Sequence, residues 1–128
     1  MLKGLPKLQL TDLDLMVCKL PPSSEIPANV LEAKFFSVTR TAEELSIVCP
    51  ASLNFQFSKA EKGWSCFRVE GMLDFALTGI LHQISKPLAE QEISLFAIST
   101  FNTDYILVKM DGIEKAIAAL KRAGFIVI

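Results

Sequence analysis

Two segments of this sequence carry groups that could hold a small charged molecule. In the polar turn Ser99 to Asp104, the carboxylate of Asp104 could hold an ammonium or guanidinium group through a charge-assisted hydrogen bond. At Gly71 to Leu73 a predicted strand gives way to a helix, whose first backbone N–H groups stabilise a carboxylate. Together they predict a site for both ends of an amino acid, with the candidate residues Gly71, Met72, Leu73, Ser99, Thr100, Phe101, Asn102, Thr103 and Asp104. Residues 102–104 are equally well explained as a simple polar turn.

Catalytic chemistry has little support in the sequence. His82 is the single histidine and lies among apolar residues of a predicted helix, so we expect a solvated or boundary position and not a general base. Cys66 and His82 would form a nucleophile pair only if a strand and a helix converged, and no flanking signature supports this. Neither GxGxxG nor a P-loop pattern occurs. We therefore predict no enzymatic activity and no cofactor.

The three cysteines, Cys18, Cys49 and Cys66, are far apart and form no CxxC pair. This spacing predicts neither a disulfide framework nor a zinc site. All three occur in apolar or strand-like sequence, so we expect reduced thiols that pack as small hydrophobic side chains. No metal ligands are predicted.

The charge balance excludes several classes of partner. The formal net charge is −1, and the chain lacks the basic stripe of a nucleic-acid binder. No apolar run approaches the roughly 18 residues that a membrane-spanning helix needs. The first six residues do not resemble a secretory signal. We predict a cytoplasmic protein with no nucleic-acid or membrane partner.

The C-terminal half begins with a strand and a helix. Ser65 to Glu70 alternates between apolar and polar residues, which is typical of a strand. Apolar residues from Leu73 to Leu88 then recur at helical spacing. Asp74 is expected to cap this helix, and Pro87 is expected to kink it or to restart its last turn.

A hairpin and a second helix follow. The predicted hairpin strands are Ser94 to Thr100 and Tyr105 to Met110. Asp111 with Glu114 three residues later resembles a capping box at the start of the helix. Gly124 is expected to end that helix, and the last four residues are predicted to form a fourth strand.

The order strand, helix, strand, strand, helix, strand predicts an α+β fold of the ferredoxin-like βαββαβ type, an antiparallel sheet with both helices on one face. The RNA-recognition motif shares this order, but its run of stacking aromatic residues is absent. Leu95 to Ile98 and Tyr105 to Val108 are apolar at every position, whereas a wetted sheet face would show alternation. Both faces are therefore expected to be covered by the other half of the chain, by a partner chain or by both.

The N-terminal half repeats part of this pattern. A second hairpin, Phe36 to Arg40 and Leu45 to Cys49, overlays the first at a shift of 60 positions, which places Glu44 on Asp104. An earlier strand is predicted from Leu13 to Leu20, and the proline-containing segment after it is too short for a full helix. We interpret residues 1–62 as an eroded copy of the unit at residues 63–128, with chance similarity of two amphipathic hairpins as the alternative.

Five segments carry a family resemblance: Glu44 to Pro50, Gly63 to Gly71, Leu73 to Phe75, Leu77 to Leu81 and Ile93 to Val108. They are similar to the ACT-domain family of small bacterial proteins, which includes the halves of the cytosolic arginine sensors of animals. The resemblance implies tandem ACT units, ligand binding at an interface between units, and no chemistry on the ligand.

The resemblance also implies roles for single residues. Asp104 occupies the place of the aspartate that contacts the ligand in the arginine sensors, with Ser99 and Thr100 on the neighbouring strand. Gly71 matches the glycine before the helix, whereas Met72 stands where the family commonly has proline. The chain has half the length of the animal sensors, so a full interface would require a homodimer.

Two functions follow as hypotheses. The first is an amino-acid-binding regulatory protein that dimerises and transmits ligand occupancy to a partner protein. The alternative is a structural or protein-interaction module that dimerises through its apolar sheet face and binds no small ligand.

Overall fold

The computed structural model describes residues 5–70 and 79–128. Its elements in chain order are β1 (Leu8–Leu10), β2 (Leu15–Leu20), α1 (Ala28–Leu31), β3 (Ser37–Arg40), β4 (Leu45–Pro50), β5 (Lys59–Val69), α2 (Ile80–Glu90), β6 (Leu95–Ser99), β7 (Asp104–Lys109), a 3₁₀ turn (Met110–Gly112) and α3 (Ile113–Arg122). Two compact units are present, and each is described by itself. Of the described residues, the C-terminal unit holds 5–12, 65–70 and 79–128, and the N-terminal unit holds 13–64.

The C-terminal unit contains a strand that the sequence pattern did not reveal. β1 pairs antiparallel with β5, Leu8 opposite Val69, and the strand order within the unit is β1-β5-β7-β6. The last residues pair with β1: the N–H of Leu8 donates to the carbonyl of Ile126 at 2.8 Å, and the N–H of Ile128 donates to the carbonyl of Leu8 at 2.8 Å. The predicted fourth strand is reduced to a parallel bridge between Leu8 and Val127. The predicted division at residues 62 and 63 stays a prediction, but residues 5–12 pack with the C-terminal unit.

The core of the C-terminal unit forms between its sheet and its two helices. It contains residues from β1, β5, α2, β7, α3 and the C-terminal segment: Leu8, Phe67, Val69, Ile84, Leu88, Ile106, Val108, Ala116, Leu120 and Phe125. The predicted α+β order with its antiparallel sheet is confirmed. Each buried aliphatic side chain of this kind stabilises the fold by about 1.5–3 kcal/mol relative to exposure.

For helix α3, the structure agrees with the prediction at the C-terminal end and disagrees at the N-terminal end. Gly124 adopts a positive φ of +104°, and the N–H of Phe125 donates to the carbonyl of Leu120 at 3.1 Å, so the predicted glycine stop is confirmed. The predicted capping box is wrong. Asp111 lies inside the 3₁₀ turn, and α3 begins after Gly112 with no side-chain hydrogen bond at its N-cap.

Helix α2 is described from Ile80 onward. The predicted cap Asp74 and the first turns of the predicted helix lie outside the described residues. The helix continues through Pro87 to Glu90 and does not restart there.

The N-terminal unit has the strand order β3-β4-β2-β5 and one helix, α1, of only four residues. The prediction that no full helix follows the first long strand is confirmed. One sheet face holds the unit's buried cluster, which consists of Met16, Cys18, Leu20, Val30, Leu45, Ile47 and Cys49.

The two hairpins are related by 59 positions, and the predicted shift of 60 is wrong. In β3–β4, Ser37 lies opposite Val48 and Arg40 lies opposite Leu45. In β6–β7, Phe96 lies opposite Leu107 and Ser99 lies opposite Asp104. Each residue of the first pairing plus 59 gives the second, and β4 and β7 share the same order of buried and half-buried residues. A shift of one residue would place every side chain on the opposite sheet face. The counterpart of Asp104 in the first hairpin is therefore Leu45, and the predicted counterpart Glu44 is wrong.

The expected coverage of both sheet faces holds for β7 better than for β6. In β7, Ile106 and Val108 lie in the core, and Leu107, on the opposite face, is also fully buried. In β6, Phe96 and Ile98 are half-buried. The sheet face opposite the core is therefore only partly covered at β6 and β7.

The three cysteines are buried free thiols, as predicted. Burial raises the pKa of Cys66 from its ordinary value of 9.0 to about 12. Burial, followed by the neighbouring Cys18, raises the pKa of Cys49 to about 12 as well. The native fold therefore keeps both thiols protonated at a pH where the unfolded chain ionises them.

We expect the free energy of unfolding to fall as the pH rises above 9. The folded-state pKa values exceed the unfolded ones, so this contribution is complete below pH 9 and is lost toward pH 12. The slope per thiol approaches about 1.4 kcal/mol per pH unit. Urea unfolding between about pH 8 and about pH 10 measures it, and Cys66→Ser should give a shallower decline. A decline identical in the two chains would contradict the assignment to this thiol.

Candidate functional site

The turn between β6 and β7 is organised by Thr100. Its N–H and its hydroxyl both donate to the carbonyl of Thr103, at 2.8 and 2.9 Å, and the N–H of Thr103 donates to the Thr100 Oγ1 at 3.2 Å. These three bonds close the turn and leave Phe101 and Asn102 at its exposed tip. Phe101 is 81% exposed, which is unusual for a large apolar side chain.

Thr103 connects this turn to the end of β5. Its side chain is 3% exposed, and its hydroxyl donates to the carbonyl of Val69 at 2.7 Å. Val69 is the last residue of β5 and lies two positions before Gly71. The turn is thus held beside the point at which the chain enters the second segment of the predicted site.

Asp104 is buried, with 7% of its surface exposed. It is the first residue of β7 and lies opposite Ser99. Strand alternation places it on the same sheet face as Ile106 and Val108, which are core residues. Within residues 5–70 and 79–128, its carboxylate makes no hydrogen bond or ion pair. Because the residue is largely buried, its carboxylate has lost part of its hydration and is suited to receive a positively charged donor.

The N-terminal unit contains a natural control for this turn. Thr41 repeats the bonds of Thr100: its N–H donates to the carbonyl of Glu44 at 2.9 Å, and the N–H of Glu44 donates to its Oγ1 at 3.2 Å. Leu45, fully buried, takes the place of Asp104 in this copy. The same turn therefore forms in the N-terminal unit with an aliphatic residue at this position.

Of the two predicted site segments, the structure describes the one from Ser99 to Asp104. Ser99, Thr100, Phe101 and Asn102 are exposed around the turn, with the buried Thr103 and Asp104 beneath them. Gly71, Met72 and Leu73 lie outside the described residues. Sequence reasoning missed the Val69 carbonyl that anchors Thr103, because a backbone acceptor leaves no signal in the side-chain pattern.

The residues considered for catalysis do not form a site. His82 is exposed on α2, whereas Cys66 is buried in β5. Across the described ranges, no three histidine, cysteine or acidic side chains converge as a metal site would require. None of the helices described here is long and apolar enough to span a membrane.

Comparison with known families decides the relationship of this chain. A family model described as ACT domain matches residues 59–122, which is half of the sequence. The chain belongs to the ACT-domain family. A second model, which describes an N-terminal domain, matches residues 15–53 of this ACT-domain protein. The resemblance noted from the sequence is thereby confirmed.

Relatives in animals share the sequence over part of their length. The human protein named cytosolic arginine sensor for mTORC1 subunit 1 is 36% identical over 108 residues, which cover 78% of this ACT-domain protein and 32% of the relative. The bovine protein of the same name is 38% identical over 96 residues, 69% of this chain and 29% of the relative. The chain thus spans about a third of the length of these relatives, and not the half that the resemblance implied.

Solved structures agree with the fold. A crystal structure of a protein from Agrobacterium tumefaciens is 35% identical, with a TM-score of 0.88 over 96% of this chain and 92% of the other. The ligand-free regulatory subunit of aspartate kinase from Thermus thermophilus has a TM-score of 0.67 over 94% of this chain and 99% of the other. It is 7% identical, so it supports the ferredoxin-like ACT fold alone.

Proposed function

We propose that this ACT-domain protein is a cytoplasmic regulatory module that binds an amino acid without chemically changing it. The observation that carries the proposal is the buried carboxylate of Asp104, at a position where the same turn in the N-terminal unit holds Leu45. Holding this charge in a largely buried position, with no hydrogen bond or ion pair among residues 5–70 and 79–128, costs the free protein part of the hydration free energy of the carboxylate. A ligand that neutralises this charge would recover that free energy on binding.

The turn suggests how the ligand is held. Its ammonium or guanidinium group binds the Asp104 carboxylate through a charge-assisted hydrogen bond. The exposed ring of Phe101 covers the ligand from the tip of the turn and can add a cation–π contact. The N-terminal unit has the small residue Ala42 at the corresponding position. The carboxylate of the ligand binds the backbone N–H groups of Gly71, Met72 and Leu73.

The proposal includes a homodimer and a downstream protein partner. Ligand occupancy would be transmitted to that partner because binding shifts the population of the states that the partner recognises. The names of the animal relatives, which describe an arginine sensor, support a sensing role. They do not identify the amino acid that this shorter chain binds.

A thermal-shift screen against the twenty standard amino acids tests the proposal. A ligand at about 100 times its Kd stabilises the folded protein by about 2.7 kcal/mol, which raises Tm by roughly 10 °C in a domain of this size. We expect Asp104→Ala to remain folded and to lose the shift. The exposed Asp111 provides the matched control, and Asp111→Ala should respond like the native chain.

The outcomes separate the two functions. A full shift in Asp104→Ala would place the site elsewhere. No shift with any of the amino acids in the native chain would instead favour the alternative, an interaction module that binds no small ligand.

A further inference from the structure

A cavity of about 450 Å³ opens on the sheet of the N-terminal unit, over β2 and the two strands that flank it. Small-molecule sites usually have volumes of about 300–1,000 Å³. Along β2 and β4, Val17, Lys19 and Ser46 alternate with residues of the buried cluster, so this β2 cavity lies on the opposite sheet face. Its full lining is Val17, Cys18, Lys19, Glu44, Ser46, Lys59, Ala60 and Glu61.

Two lysines face each other in the middle of the β2 cavity. Lys19 of β2 and Lys59 of β5 are directly opposite in the strand pairing, and both are exposed. Neither makes an ion pair among residues 5–70 and 79–128. Like charges at directly opposed positions destabilise a sheet. Ser46 lies opposite Lys19 on the other side and adds a hydroxyl to the same row. This row is therefore suited to an anionic group held between the two ammonium groups.

Two carboxylates flank the lysine pair, one on each side along the strand direction. Glu44 lies two residues before Ser46, and Glu61 lies two residues after Lys59. Glu44 is half-buried, and within the described part of the chain its carboxylate makes no hydrogen bond or ion pair. Glu61 is engaged in an interaction of its own. Glu44 is therefore the acceptor for a positively charged ligand group.

The charges of the lining select the kind of ligand. Two lysines and two glutamates line the β2 cavity, so their formal charges cancel. A plain anion between the lysines would lie near two carboxylates, and a plain cation near Glu44 would lie close to two ammonium groups. A zwitterion can place each of its charges beside the opposite charge of the protein.

The strand register sets how far apart the two charges of the ligand must be. The midpoint between Lys19 and Lys59 is one and a half strand spacings from β4, and Glu44 lies two residues further along. This separation is about 10 Å at the level of the backbone. An α-amino acid carries both charged groups on one carbon atom. We infer that the β2 cavity binds a linear zwitterion whose ammonium and carboxylate groups are several bonds apart, as in a free dipeptide or an ω-amino acid.

The C-terminal unit lacks this arrangement. At the shift of 59 positions, Glu44 corresponds to the buried Thr103, and Ser46 corresponds to Tyr105. Neither counterpart carries a charge at neutral pH. The site is thus specific to the N-terminal unit, and its ligand class differs from that proposed for Asp104. The inference goes beyond the proposed function and does not depend on it.

Calorimetric titration of the full chain tests the β2 cavity with two probes, L-alanyl-L-alanine and γ-aminobutyrate. We expect one equivalent of at least one probe to bind, and the tighter of the two assigns the ligand to the peptides or to the ω-amino acids. L-Alanine, which has both charges on one carbon, should bind at least tenfold more weakly at this site. The N-acetylated dipeptide and the dipeptide amide, which each lack one charge, should be weakened to the same extent.

Lys59→Gln and Glu44→Gln each remove one charge of the site, and each should raise the Kd of the bound probe about tenfold or more. Lys34→Gln is the matched control, because Lys34 is an exposed lysine of the same unit that does not line the cavity. Circular dichroism confirms that each variant is folded. Asp104→Ala should bind the probe as the native chain does, which separates this site from the one in the proposed function.

Four results would overturn the inference. The first is that neither probe binds the native chain. The second is that L-alanine or the N-acetylated dipeptide binds as tightly as the probe, which would show that separated opposite charges are not recognised. The third is a native Kd in both Lys59→Gln and Glu44→Gln. The fourth is loss of probe binding in Asp104→Ala, which would place the probe at the other site.

Discussion

Residues 63–128 produced without the preceding part of the chain are expected to remain unfolded. The C-terminal unit needs β1, whose Leu8 is 1% exposed in the core and links β5 to the last residues through backbone pairing. Replacing a single fully buried leucine by alanine costs about 2–5 kcal/mol. Loss of the whole strand also removes its backbone hydrogen bonds, against a total stability of roughly 5–15 kcal/mol. Far-ultraviolet circular dichroism and thermal unfolding measure the result.

A rescue experiment gives the matched control. The N–H of Thr11 donates to the carbonyl of Cys66 at 2.9 Å, so Asp12 and Ser65 lie near each other at the end of an antiparallel pair. A chain in which residues 1–12 are joined to residues 65–128 by an Asn-Gly turn therefore needs little rearrangement. It should fold cooperatively. A cooperative transition in residues 63–128 alone would contradict the role assigned to β1.

Asp104→Leu is expected to make the free protein more stable and insensitive to ligand. The substitution copies Leu45, which fills the same position in the N-terminal unit, and it removes a buried carboxylate. Burying a polar group without a hydrogen bond costs about 1–3 kcal/mol in mutational data, so we expect a gain of about that size in urea unfolding. The thermal shift with the amino acid that stabilises the native chain should disappear.

The reciprocal substitution shows whether the position or the residue matters. Leu45→Asp places a carboxylate in the apolar core of the N-terminal unit, so we expect a loss of several kcal/mol of stability, while the thermal shift that depends on Asp104 is retained. If Asp104→Leu proves less stable than the native chain, the carboxylate has a structural role, and the functional interpretation of its burial fails.

The order of elements could be predicted because the hydrophobic periodicity of a long segment distinguishes a helix from a strand. The helical stripe that includes Ile84 and Leu88, and the apolar strand around Leu107, identified α2 and β7. β1 has only three residues, too few for a period of two to be recognised. The capping box failed because a 3₁₀ turn precedes α3, and this turn depends on local geometry that residue types do not specify.

The candidate site was predictable by residue type and not by environment. A turn that ends in Asp104 is visible in the sequence, but its burial and the bond from Thr103 to Val69 arise from the pairing of distant strands. The internal repeat was visible as well. Its register was misjudged by one position because apolar residues on both faces of β7 leave the alternation that fixes register too weak to read.

The discontinuous C-terminal unit has a consequence for synthesis on the ribosome. The N-terminal unit, residues 13–64, is one continuous stretch and can fold as soon as it leaves the exit tunnel. Leu8 of β1 is translated 119 residues before Val127, the residue with which it forms a parallel bridge. At ordinary elongation rates this interval is on the order of ten seconds. During this interval Leu8 and Leu10 lack the backbone partners that Ile126 and Ile128 supply in the folded unit, so we expect ribosome-associated chaperones to bind this apolar segment.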